Sequence, residues 1–183
     1  TGTDRLQEVV QYLALPDDHI VVNVQGDEPL IPPHLINQVA NNLQQYSHAA
    51  IATLAEPIDD IEQVFDVNAV KLVRDAANMA MYFSRAPLPW NRDWNKTDTN
   101  VVHKDAYLRH IGLYAYRVGF LHRYVTWPQA SYETLESLEQ LRALHYGERI
   151  HVDLAPEGMP SGIDTLEDLA RMRDFLAAQP LEH

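Results

Sequence analysis

"HIVVNVQGDEPLIPPHLINQVANNLQQYSHAAIATLA", residues 19–55, sets an apolar run, an amphipathic run and a second apolar run in succession. The first, residues 19–25, lacks strict alternation over its first half, which predicts a strand buried on both faces. Pro32-Pro33 suits the opening turn of a helix, and Leu35, Ile36, Val39 and Leu43 then share one helical face. Residues 49–55 read as another short buried strand. Strand, helix, strand predicts a parallel sheet covered by helices, an α/β architecture whose ligands bind beyond the carboxyl ends of the strands. At that end of the first strand stand two adjacent acids, Asp27 and Glu28. By residue type alone they fit either a solvated turn or a site for a divalent cation.

Upstream, Thr3 or Asp4 caps a first helix with Leu6, Val9, Val10 and Leu13 on its apolar face. Downstream, residues 69–75 and 79–84 predict a hairpin turned by Ala76-Ala77-Asn78. Residues 86–105 show no period, and a structureless loop beyond roughly 12–15 residues is unusual unless it is functional or disordered. Residues 111–118 resume as a strand with Ile111, Leu113, Ala115 and Arg117 on one side and Gly112, Tyr114 and Tyr116 on the other. Ser131 caps a helix expected to run through Tyr146 and to end at Gly147, with Leu135, Leu138, Leu141 and Leu144 as its core stripe. A strand at 149–155 follows. Thr165 and Asp168 then open a last helix that buries Leu166, Leu169, Met172 and Leu176.

The 183 residues carry 26 acids against 14 bases, a formal charge of -12. Such a surface repels phosphate backbones and anionic bilayers, so nucleic acid and membrane are not expected partners. There is no cysteine, which excludes disulfides, thiolate metal sites and a cysteine nucleophile. No apolar stretch reaches the roughly 18 residues of a membrane span, and a cytoplasmic protein is expected. Leu181-Glu182-His183 looks like the start of a histidine tag and is set aside, leaving 1–180 as one domain.

Three constellations could carry chemistry. Asp27 and Asp164 both fall at strand-to-helix junctions and could hold Mg²⁺, or serve as a turn residue and a helix N-cap. "TGTDR", residues 1–5, offers backbone amides at a helix start plus Arg5, a modest anion site, although Arg5 could equally pair with Asp4 or Glu8. No glycine-rich phosphate loop is present. In "YLRHIGLYAY", residues 107–116, Arg109 and His110 precede Tyr114 and Tyr116. With Glu139 and Gln140 these could recognise a polyhydroxy acid, or form an exposed face or subunit interface. No arrangement for covalent catalysis is evident.

Taken in order, "TGTDR", "VNVQGDEPLI", "NAVKLV", "YFSRAPLPW", "LRHIGLYAYR", "LESLEQLRALHYGERIHV" and "GIDTLEDL" resemble the 3-deoxy-manno-octulosonate (Kdo) cytidylyltransferase family over nearly the whole chain. The resemblance implies a Rossmann-like nucleotide-diphospho-sugar transferase fold and a homodimer built through the central region, about residues 82–130. It implies CMP transfer from CTP to Kdo for lipopolysaccharide synthesis, with Mg²⁺ held by Asp27 and Asp164 as the catalytic metal ligands. Thr3, Arg5 and Gln25 match the nucleotide side, and Arg109, His110, Tyr114, Glu139 and Gln140 the sugar-acid side. The family opens with a strand and a loop of the form "PARxxSTRLPGKPL" that is not found in these residues. An N-terminally truncated, inactive fragment is therefore expected. Alternatives are an acylneuraminate cytidylyltransferase or a non-catalytic dimer module.

Overall fold

The computed structural model describes residues 2–26, 30–94, 106–156, 169–170 and 172–174. Helix α1 (Gly2–Tyr12) leads to strand β1 (Ile20–Asn23), α2 (Pro33–Gln45), β2 (Ile51–Pro57) and a short α3 (Ile61–Phe65). The hairpin β3 (Lys71–Arg74) and β4 (Ala80–Ser84) forms where it is expected, with Asn78 in the turn at φ 60°. Strand β5 (Leu108–Arg117) runs directly into α4 (Val118–Tyr124). After it come α5 (Ser131–Glu136), α6 (Gln140–His145) and β6 (Ile150–Leu154). The expected last helix falls mostly outside the described residues, although 169–170 and 172–174 are helical and Met172 is buried.

The sheet is mixed rather than parallel. Its order is β4-β3-β5-β2-β6, with β1 also paired to β5. β1 and β2 each run antiparallel to β5, and β2 runs parallel to β6. The β-α-β reading therefore holds for direction but not for adjacency, because β5 inserts between β1 and β2. Apolar runs report that a strand is buried and say nothing of which strand lies beside it.

β5 is the hinge of the architecture. Its Ile111, Leu113 and Ala115 pack with Leu35, Val39 and Leu43 of α2 on one face. Its Tyr114 and Tyr116 pack with Val10 of α1, Phe120 and Tyr124 of α4 and Leu141 of α6 on the other. The expected alternation is thus real, but both sides are core. Tyr114 and Tyr116 are 9% and 7% exposed, which removes them as the large surface side chains of an interface.

Two helices depart from expectation. In α1, Val10 is buried, whereas Val9 and Leu13 are 52% and 56% exposed. The helix also begins at Gly2, so Thr3 lies inside it rather than capping it. The helix expected over 131–146 is two helices, interrupted at Ser137, whose φ of 52° is left-handed. The interruption resets the phase: Leu135 is 85% exposed, while Gln140 and Arg142 turn inward and are buried. Ala130, not Ser131, is the N-cap residue, and its backbone N–H donates to Glu133 Oε2.

Candidate active site

A local irregularity in β5 leads to the site. Opposite β2 the pairing steps from Thr53↔Tyr114 to Leu54↔Ile111, so β5 carries two extra residues there. Thr53 closes the bulge: its hydroxyl lies 3.0 Å from Ile111 O, 2.8 Å from Leu113 O and 3.0 Å from His110 Nε2. One hydroxyl has one proton, so it serves the carbonyls as donor and takes its third bond from Nε2–H. Bulges add twist and re-aim side chains. Here the bulge sits directly before Tyr114, which enters a cavity of about 510 Å³.

Four segments wall that cavity. Gly2, Thr3, Arg5 and Leu6 come from the first turns of α1, and Asn23, Val24, Gln25 and Gly26 from the end of β1. Tyr114, Tyr116, Phe120 and Tyr124 form an aromatic floor, and Ser137, Leu138, Glu139 and Gln140 form the turn between α5 and α6. Burial holds the Tyr114, Tyr116 and Tyr124 phenols well above their ordinary range, so all three stay protonated at neutral pH.

The Glu139 turn is tied down on all sides. Glu139 Oε2 accepts from the Thr3 hydroxyl at 2.9 Å, and its carbonyl accepts from Tyr124 Oη–H at 3.1 Å. Beneath it, Arg142 and Glu133 form an enclosed ion pair, Nε to Oε2 at 2.9 Å and Nη2 to Oε1 at 2.5 Å. The Arg142 guanidinium also lies 4.4 Å from the Tyr124 ring centroid, a cation–π contact. On the other flank, Glu136 accepts from Ser84 Oγ at 2.7 Å and from the Arg85 backbone N–H at 2.8 Å. Lys71 is fully buried and donates to the carbonyls of Asp66, Ala69 and Arg85.

Six expected site residues therefore meet in one cavity: Thr3, Arg5, Gln25, Tyr114, Glu139 and Gln140. Arg109 and His110 do not line it. Arg109 forms an ion pair with Glu56 of β2, its Nε 2.6 Å from Oε1. His110 stands behind Tyr114, with ring centroids 5.1 Å apart, and bonds Thr53. Loss of water and the nearby Arg109 charge push its pKa down to about 3, so it is neutral. Asp27 and Asp164 lie outside the described residues, and those described contain no group of three potential metal ligands. The floor residues Phe120 and Tyr124 were not expected; four-residue spacing on a helix signals one shared face, but not that the face borders a cavity.

A helix start with an arginine, and hydroxyls, an amide and a carboxylate, line one cavity on a mixed α/β sheet. These are the parts of a nucleotidyltransferase that joins a phosphate-bearing and a hydroxyl-bearing substrate. Residues 1–150 match the family model described as cytidylyltransferase. The chain is 58% identical over 181 residues to the 3-deoxy-manno-octulosonate cytidylyltransferase of Marinobacter nauticus, covering 96% of this chain and 69% of that protein. It is 55% identical over 179 residues to the enzyme of that name in Vibrio vulnificus, with 98% and 70% covered. The solved structure of CMP:2-keto-3-deoxy-manno-octonic acid synthetase complexed with CTP superposes with a TM-score of 0.83 at 34% identity, covering 97% of this chain and 68% of that one. A second solved structure, 4-diphosphocytidyl-2C-methyl-D-erythritol synthase, shares the fold at a TM-score of 0.52, 12% identity and 95% and 63% coverage. The chain belongs to the cytidylyltransferase family, among the 3-deoxy-manno-octulosonate cytidylyltransferases.

Proposed function

We propose that this cavity joins CTP to 3-deoxy-D-manno-octulosonate, giving CMP-Kdo and pyrophosphate for lipopolysaccharide synthesis. One observation carries the reading: the cavity holds the start of α1 with Arg5 together with the Glu139–Gln140 turn and Tyr114. Phosphate suits the α1 amides and the Arg5 guanidinium, which supply donors. A carboxylate repels phosphate but accepts from hydroxyls, so Glu139, the Gln140 amide and the neutral Tyr114 phenol suit the polyhydroxy acid. In the reaction the anomeric hydroxyl of the acid attacks the α-phosphorus of CTP, its P–O bond forms as the bond to pyrophosphate breaks, and the hydroxyl proton is lost to solvent or base. The residues named contribute orientation and fixed dipoles rather than a nucleophile.

Mg²⁺ belongs to the same proposal, with Asp27 and Asp164 as its ligands. Gly26, the neighbour of Asp27 in sequence, lines the cavity, which supports that assignment. When bound, the ion would offset charge on the triphosphate. We further propose a cytoplasmic homodimer joined through the central region. Trp90, 62% exposed beside Trp94 at 4.8 Å between ring centroids, supports a covered surface there. Among the described residues no helix is long and apolar enough to cross a membrane.

The test is pyrophosphate release by the full-length protein with CTP, Mg²⁺ and either Kdo or an N-acylneuraminate. Release with Kdo alone supports the reading. Release with the acylneuraminate alone, or with neither acid, overturns it.

A further inference from the structure

Thr3 is in an unusual position for a residue at a helix start. It is 6% exposed, and its hydroxyl reaches across 136 positions in sequence to Glu139 Oε2 at 2.9 Å. A carboxylate oxygen accepts, so the Thr3 proton is directed at Glu139.

This bond completes the restraint of Glu139. Its backbone is already held through its carbonyl by Tyr124, whose ring is fixed by Arg142. That leaves the side-chain torsions, and the Thr3 bond is what restrains them. A flexible carboxylate loses rotamer entropy on binding a polyol, whereas one held beforehand does not.

We propose that Thr3 is a positioning residue for the hydroxyl-bearing acceptor: it orients the Glu139 carboxylate and so links α1 to the turn that binds the acceptor. This rests on the cavity being the site where CTP and Kdo react. It differs from the expectation that Thr3 contacts the nucleotide, because its proton is directed at Glu139.

The two roles separate in steady-state kinetics of the full-length protein. Thr3→Val keeps the shape and removes the hydroxyl; Thr3→Ala does the same should valine not be accommodated. The KM for Kdo should rise roughly tenfold, the value of a hydrogen bond to a charged group, with the KM for CTP unchanged. Thr3→Ser should restore the wild-type value. On a Glu139→Gln background Thr3→Val should add less than about twofold, since the two act as one unit. A rise confined to CTP, equal losses for both substrates, no change, or full additivity with Glu139→Gln would each overturn the proposal. Wild-type protein inactive on CTP and Kdo would instead overturn the assigned reaction, a separate outcome read before any variant is made.

Discussion

Two buried polar clusters lie on opposite faces of the same sheet and are finished differently. Below the cavity, Glu133, Arg142, Tyr124 and the Glu139 carbonyl satisfy one another. Under α2, Asp153 accepts from Gln38 and Asn42 at 2.9 and 3.1 Å, yet His151 has neither ring nitrogen bonded among the described residues. It is 1% exposed and stacks on Tyr46 at 3.9 Å. The completed cluster fixes a turn in space. The incomplete one packs as an aromatic would and carries a titratable group that folding keeps neutral.

The comparison breaks most visibly at Arg142. Arg142→Met strands Glu133, 3% exposed, without its cation, and should cost about 3–5 kcal/mol in denaturant unfolding. Changing Glu133→Leu together with Arg142→Met should recover most of that loss. A cost below about 1 kcal/mol for the single change would mean that Glu133 finds another partner.

Lys71 sharpens the same contrast. Its three donors meet three carbonyls in a fully buried setting, so Lys71→Met leaves those carbonyls unpaired and should cost about 2–3 kcal/mol. The segment beginning at Arg85 should then gain hydrogen-exchange rate before the rest of the sheet.

His151 is tested by pH. Burial lowers its pKa below the usual 6.5, with Asp153 opposing and Arg74 and His48 adding to the shift. The unfolded chain therefore binds more protons just below pH 6.5, and stability is complete above that value and falls as pH drops. Each such histidine contributes a slope of at most about 1.4 kcal/mol per pH unit. For His110 the window runs from 6.5 down to about 3. His151→Phe keeps the stacking and should flatten the curve just below pH 6.5. An unchanged slope would remove His151 from the acid response.

The smallest effect is at Ser137. Glycine inside a continuous helix costs roughly 1 kcal/mol, but at φ 52° it relieves strain. Ser137→Gly should be neutral or stabilising by about 0.5 kcal/mol. A loss near 1 kcal/mol would restore the single helix.

That helix marks a limit of sequence reading. "LESLEQL" contains no glycine or proline, and its leucine spacing suits unbroken helix; the break is stabilised by tertiary bonds from Tyr124, Ser84 and Arg85 that no local pattern reports. The hairpin, the α2 face and the two-sided pattern of β5 were legible because each follows from periodicity over adjacent residues. The insertion of β5 between β1 and β2 was not, since pairing is a long-range choice. For the site, residue type led to Arg5, Gln25, Tyr114, Glu139 and Gln140 through resemblance to a family. The bonds that turn Thr3 toward Glu139 and Arg109 toward Glu56 needed coordinates.

Hydrogen–deuterium exchange on the full-length protein with CTP, Mg²⁺ and Kdo most directly asks where the substrates sit. Added together they should slow exchange in residues 2–12 and 137–145, the two walls of the cavity, while 33–45 in α2 stays unchanged. Protection confined to the hairpin around Asn78 and the end of β6, where a smaller hollow lies, would contradict the assigned site.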